Sequence, residues 1–150
     1  MKNSKIKVLA SFLNEEEENI NISSYDKNVF EIGNQEYLVL TDEEADEKTE
    51  EYIIDSLWAF RASFVIDHMS TKNELSRRER DELEKSLQEI QGKLCESANS
   101  LIKAIIEDID IFVEHAIQAD GRGHFLSGYD GEENEEVSEE GEYFYIYRTN

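Results

Sequence analysis

Three histidines, one cysteine and an unusual density of carboxylates are the side chains of this 150-residue sequence with the means to do chemistry. His115 and His124 lie near Asp108, Asp110, Glu114, Asp120 and Asp130 in the chain. Imidazole and carboxylate are the donors that zinc and the harder cations take. The spacing matches no ligand pattern: there is no H-E-x-x-H, no H-x₃₋₅-H and no cysteine pair, and the segment from Asp130 departs from the calcium-loop spacing. His124 is expected to hydrogen-bond within its loop, and His68 and His115 to sit at helix surfaces or boundaries. No cofactor, no resident metal and no catalytic residue is expected, although a metal-dependent enzyme using residues 120 to 130 stands as one alternative.

Nucleophilic chemistry has less support. Cys95 falls on an expected helix without an evident basic neighbour, and Ser127 next to Gly128 lacks the full G-x-S-x-G elbow. Gly121, Arg122 and Gly123 lack the P-loop spacing and its lysine, and a strongly negative segment follows them. Turn geometry is the expected use of those glycines.

The carboxylates carry more information. Asp and Glu number 36 against 15 Lys and Arg, a net charge of −21. Such an excess opposes folding by self-repulsion, repels nucleic acid and attracts cationic surfaces, including the grooves of proteins that bind DNA or RNA. Glu43, Glu47 and Glu50 fall at helical spacing, as do Glu107, Asp110 and Glu114. From 130 to 142 eight of thirteen residues are acidic, among them Glu132, Glu133, Glu135, Glu136, Glu139, Glu140 and Glu142. Carboxylates three or four residues apart on a helix stand about 4.5 to 6 Å apart along its axis, and duplex DNA carries one charge per about 1.7 Å. These surfaces therefore offer a coarse imitation of a phosphate backbone. The bland alternative is an acidic surface that serves solubility alone.

Several elements must position these groups. Residues 1 to 40 read as strands, beginning with Lys5, Ile6, Lys7, Val8 and Leu9. The runs at 29 to 32 and 36 to 40 flank Gly33 and Asn34, a hairpin-turn dipeptide. Thr41 with Glu44 has the capping-box form, so a helix should run from there to about His68. Ser76 with Glu79 repeats the signal, and an apolar seam from Leu83 to Ala116 predicts a longer helical segment that either runs through Gly92 or is divided there. An aromatic strand ends the chain, Tyr143 to Arg148. The expected fold is one α+β domain: long antiparallel helices packed on a small antiparallel sheet made from N- and C-terminal strands. Its regions are a β-hairpin region at 1–40, a helical region at 41–118, and an acidic loop with the last strand at 119–150. Within that loop, Asp120, Gly121, Arg122, Gly123, His124, Tyr129, Asp130 and Gly131 read as a shaped turn, and 132 to 142 as the electrostatic surface. An exposed helical seam would allow a homodimer.

The single cysteine excludes an internal disulfide, the N-terminus has no signal-peptide pattern, and no apolar run reaches the roughly 18 to 20 residues that cross a bilayer. A cytoplasmic location with no membrane partner is expected.

Residues 36 to 45, the segment Asp120-Gly121-Arg122-Gly123-His124, then Tyr129-Asp130-Gly131-Glu132-Glu133 and Tyr145-Ile146-Tyr147-Arg148 resemble small acidic proteins of unassigned function encoded by bacteriophages and mobile elements. That resemblance covers about a third of the chain. It implies an anti-CRISPR or anti-restriction context, in which a small acidic protein occupies the basic nucleic-acid groove of a host protein without touching nucleic acid itself. A phage accessory scaffold that binds proteins through the helical seam is the other alternative.

Overall fold

In a computed structural model that describes residues 3–150, the chain is mixed α+β, with a five-stranded antiparallel sheet built from its N- and C-terminal strands. Its residues group into two compact units: those up to 49 together with 120–150, and those from 50 to 119.

The first unit contains the sheet. Strands β1 (Asn21–Ile22), β2 (Val29–Ile32), β3 (Gln35–Leu40), β4 (Asn134–Val137) and β5 (Tyr143–Arg148) lie in the order β1-β2-β3-β5-β4. Gly33, at φ +58°, makes the β2–β3 turn that its pairing with Asn34 predicts. Strand β3 takes β5 as its second neighbour, with Val39 opposite Ile146 and Leu40 opposite Tyr145. Both faces are apolar. Phe30, Tyr37, Val39, Phe144 and Ile146 meet Val8, Leu9 and Ala10 of helix α1 (Ser4–Leu13) on one face. Val29, Leu38, Leu40 and Tyr147 meet Ala45 of α2 (Asp42–Asp55) and Leu126 on the other. Each such side chain taken fully out of water is worth about 1.5 to 3 kcal/mol, so a sheet with two covered faces anchors this unit.

Lys5 to Leu9, expected as a strand, are therefore helical. Asn3 caps the helix by accepting from the Lys5 N–H at 2.9 Å, and Asn14 ends it at φ +55°. The apolar residues Ile6, Val8, Leu9, Phe12 and Leu13 share a helical stripe that only a sheet face can bury.

The capping boxes appear as predicted. The Glu44 N–H donates to Thr41 Oγ1 at 3.2 Å, while Glu44 Oε1 accepts from the Thr41 N–H at 2.9 Å and from Lys5 Nζ at 2.7 Å. Burial pushes the Glu44 carboxyl up, but these donors outweigh it and hold the group below its ordinary value. Ser76 and Glu79 close the second box.

In the second unit the expected long helices are broken. Helix α2 stops at Asp55, a 3₁₀ turn follows at Leu57–Ala59, and α3 covers Ala62–Ile66. Asn99 fixes the break: its Nδ2 donates to the Asp55 carbonyl at 2.6 Å and its Oδ1 accepts from the Trp58 N–H at 2.8 Å. Gln91, buried, donates to the Phe60 carbonyl at 2.7 Å. Helix α4 (Arg77–Leu94) runs through Gly92, and the interruption falls at Cys95 instead, at φ +49° and ψ −130°. Helices α5 (Asn99–Ile105) and α6 (Ile109–Asp120) complete the unit around Leu87, Ile102 and Phe112. Tertiary hydrogen bonds to the chain at 55, 58 and 60 fall where the helix expected to run to about His68 breaks. No helix among the described residues is long and apolar enough to cross a membrane.

Two predictions follow from these elements. Cys95 holds a backbone conformation that glycine adopts without steric cost, so Cys95→Gly should raise unfolding stability by about 1 kcal/mol despite the greater entropy of its unfolded chain; urea denaturation measures it. Because the Glu44 carboxyl is held below its ordinary value of 4.5, its contribution is fully present above that pH and is lost as pH falls through the lower folded value. Glu44→Gln should therefore flatten the acid limb of the stability profile below about pH 5, read from melting temperature against pH.

Candidate functional site

The segment 119–131, expected as a glycine-rich loop, is largely helical. Helix α6 runs to Asp120, Gly121 turns the chain at φ +82°, and α7 covers Arg122–Leu126. Gly123 is buried where α7 meets the following segment: a Cβ there would lie 2.5 Å from the Gly131 carbonyl oxygen and 2.8 Å from Glu133 N. Only glycine permits this approach.

Beside it, Arg122 gathers the surrounding carboxylates. Its Nε donates to Glu133 Oε1 at 2.7 Å, and its Nη1 reaches both Asp42 Oδ1 and Asp46 Oδ1 at 2.9 Å. The guanidinium also lies 4.6 Å from the centre of the Tyr145 ring, and its side chain is only 11% exposed. Burial works against the positive charge, yet the hydrogen bonds to Glu133 and Asp42 outweigh it and raise the Arg122 pKa. The Tyr147 hydroxyl donates to the same Glu133 oxygen; burial first and this hydrogen bond second push its pKa up, so it stays a neutral donor.

A second lock follows. The Ser127 hydroxyl lies 2.7 Å from the Arg148 carbonyl and 2.8 Å from Asp130 Oδ1. Asp130 is held below the usual carboxyl range by the Glu132 N–H and then by Ser127. Arg148 stacks 3.6 Å over the Tyr129 ring. His124 is exposed and edge-on to Phe125, and among the described residues it makes no hydrogen bond within the loop, in contrast to the expectation from sequence.

Residues 132 to 142, expected as an open acidic surface, carry β4 and a closed turn. The Ser138 N–H donates to the Glu142 carbonyl at 2.8 Å, and Gly141 takes φ +84°. Glu135 lies opposite Tyr145 on the Arg122 side of the sheet, and Glu136 opposite Phe144 on the α1 side. Glu132, Glu135, Glu139, Glu140 and Glu142 are exposed, as are Glu43 and Glu47 on α2, while Glu50 is half-buried. Glu133 is engaged by Arg122 and Tyr147.

Glu107, Asp110 and Glu114 are exposed in the other unit, but they do not form one helical stripe. Glu107 precedes α6, and Asp108 caps that helix by accepting from the Asp110 and Ile111 N–H groups at 3.0 and 3.3 Å. The seam is partly closed: Leu87, Ala98, Phe112 and Ala116 are buried, whereas Leu94 and Leu101 are 45% and 44% exposed. Among the described residues no three His, Cys, Asp or Glu side chains are grouped to hold a metal ion.

Two features escape the sequence reading. Nothing in the spacing ties Arg122 to Asp42 and Asp46, some 80 residues away. His68 and His115 also meet, with Nε2 and Nδ1 2.8 Å apart. Comparison with known proteins finds no match to this chain among family models, curated proteins or solved structures.

Arg122 is the group on which this corner turns. Arg122→Met should lower unfolding stability by about 2 to 3 kcal/mol, below the range for a fully buried charge because Asp42 and Asp46 are 68% and 63% exposed. Arg122→Lys should recover less than half of that loss, since an ammonium cannot reproduce the fork to three carboxylates; chemical denaturation of the two variants decides it.

Proposed function

We propose that this protein is a non-enzymatic inhibitor that occupies the cationic nucleic-acid groove of a host defence protein, a CRISPR effector or a restriction enzyme. Its carboxylates stand in for phosphates. The observation that carries this reading is the exposed acidic surface of the sheet-bearing unit: Glu43 and Glu47 on α2, and Glu132, Glu135, Glu139, Glu140 and Glu142 along the β4–β5 hairpin. Arg122 ties the two parts together through Asp42, Asp46 and Glu133.

The physical argument rests on fixed placement. A flexible acidic tail loses conformational entropy on binding, about 1 to 2 kcal/mol for each residue whose backbone becomes ordered. Carboxylates on a helix and on a closed hairpin have met much of that cost in folding. Their mutual repulsion within a net charge of −21 is relieved when a basic groove supplies countercharge, and the groove releases its bound anions. The resemblance to small acidic phage proteins supplies the biological setting, with the bacterial cytoplasm as the place of action.

Competition experiments test it. The protein should displace DNA or guide RNA from its target, with an apparent affinity that falls steeply between about 50 and 200 mM salt, as ion release requires. The combined Glu43→Gln, Glu47→Gln, Glu135→Gln and Glu139→Gln variant should bind at least about tenfold more weakly with a shallower salt slope. Unchanged binding by that variant, or affinity indifferent to salt, would rule the mechanism out.

A further inference from the structure

We propose that His68 and His115 form a binding site for a divalent transition-metal ion of the zinc type. His68 follows α3 and His115 lies on α6, with 47 positions between them, and their rings approach with Nε2 and Nδ1 2.8 Å apart. Tautomer logic fixes the protons. The Phe64 carbonyl can only accept, so His68 Nδ1, 2.7 Å from it, carries the hydrogen. In neutral His68 the Nε2 therefore presents a lone pair toward His115. Metal-binding imidazoles are oriented in this way, with the second ring nitrogen donating to a backbone carbonyl.

The frame around the pair is rigid. The His68 ring packs against Phe64 and Phe112, with centroids 4.6 and 5.0 Å away. The Glu107 N–H donates to the His68 carbonyl at 2.9 Å, and Met69 bridges Ile106, so the segment that carries His68 is joined by backbone pairing to the one that leads into α6. The pair opens into a pocket of about 440 Å³ whose charged lining is Asp67, Lys72, Glu107 and Asp108. Asp67 is engaged by Arg80 at 2.6 Å.

Two imidazole nitrogens on one tetrahedral ion, each about 2.0 to 2.1 Å from it, stand roughly 3.3 Å apart. The observed separation needs to widen by only about 0.5 Å on that basis, and His115, exposed on α6, has room to move. The proton now on His115 Nδ1 leaves to water and another returns to Nε2, so the ring stays neutral and both facing nitrogens become donors. With no third protein ligand grouped with them among the described residues, the remaining positions fall to water, and an open site of micromolar rather than nanomolar strength is expected. Imidazole donors favour zinc, nickel and copper over magnesium and calcium.

The chain's composition makes the test clean, because it contains three histidines and one cysteine. Zn²⁺ titration by calorimetry, in a Cys95→Ser background to remove the exposed thiol, should show one equivalent bound in the presence of excess Mg²⁺, which competes for non-specific carboxylate sites. His115→Ala and His68→Gln should each weaken that binding at least tenfold, and His124→Ala should change it less than twofold. The ring signals of His68 and His115, and not those of His124, should shift or broaden with Zn²⁺ in NMR spectra. Equal zinc binding by the His115→Ala protein, or no zinc-dependent change at the His68 and His115 signals, overturns the proposal. The result is independent of the inhibitor reading, whose acidic surface lies on the other unit.

Discussion

A single guanidinium holds the corner on which the sheet-bearing unit depends. Arg122 enters from a short helix and meets a carboxylate at the start of the last hairpin and two from the first turns of α2. Without that cation, Asp42, Asp46 and Glu133 would face one another across a partly buried space, in a chain whose net charge already opposes compaction. The Tyr145 ring beneath it and the Tyr147 hydroxyl beside it fix where the charge sits. Gly123 follows from the same requirement: α7 must lie against the 131–133 backbone for the guanidinium to reach, and a methyl group would separate them.

Acidic residues in this protein therefore fall into two physical classes. Some are structural, each held by its own partner: Glu44 by Lys5, Glu133 by Arg122, Asp130 by hydrogen bonds from the Glu132 N–H and Ser127. Others, such as Glu43, Glu47, Glu135 and Glu139, are exposed. Holding the first class fixes the frame that displays the second. The helical unit follows a different logic. Side-chain amides of Asn99 and Gln91 hold backbone groups at 55, 58 and 60 where its first helix breaks, and backbone pairing between the 68–69 and 106–107 segments places His68 beside the start of the helix that carries His115.

The sequence by itself determined the features whose causes are local. Both capping boxes, the Gly33 turn, the β2–β3 hairpin and the aromatic last strand depend on neighbours a few positions apart, and each stands where its pattern places it. The overall α+β class follows from them. The sheet-forming ends were legible too, because β-branched and aromatic residues cluster there.

Tertiary structure decided what depends on distant partners. Lys5 to Leu9 are helical because a sheet face built largely from later residues covers their stripe. The helix runs through Gly92 and breaks at Cys95, where the backbone takes φ +49°, so the glycine's lower propensity does not set the interruption. The acidic segment became β4 because β5 offered it a neighbour with free hydrogen-bonding groups on that side. Arg122 and the His68–His115 pair join residues far apart in sequence, and no period or motif spans such separations. Local patterning fixes which element a residue enters; only the packed chain fixes which charges and imidazoles meet.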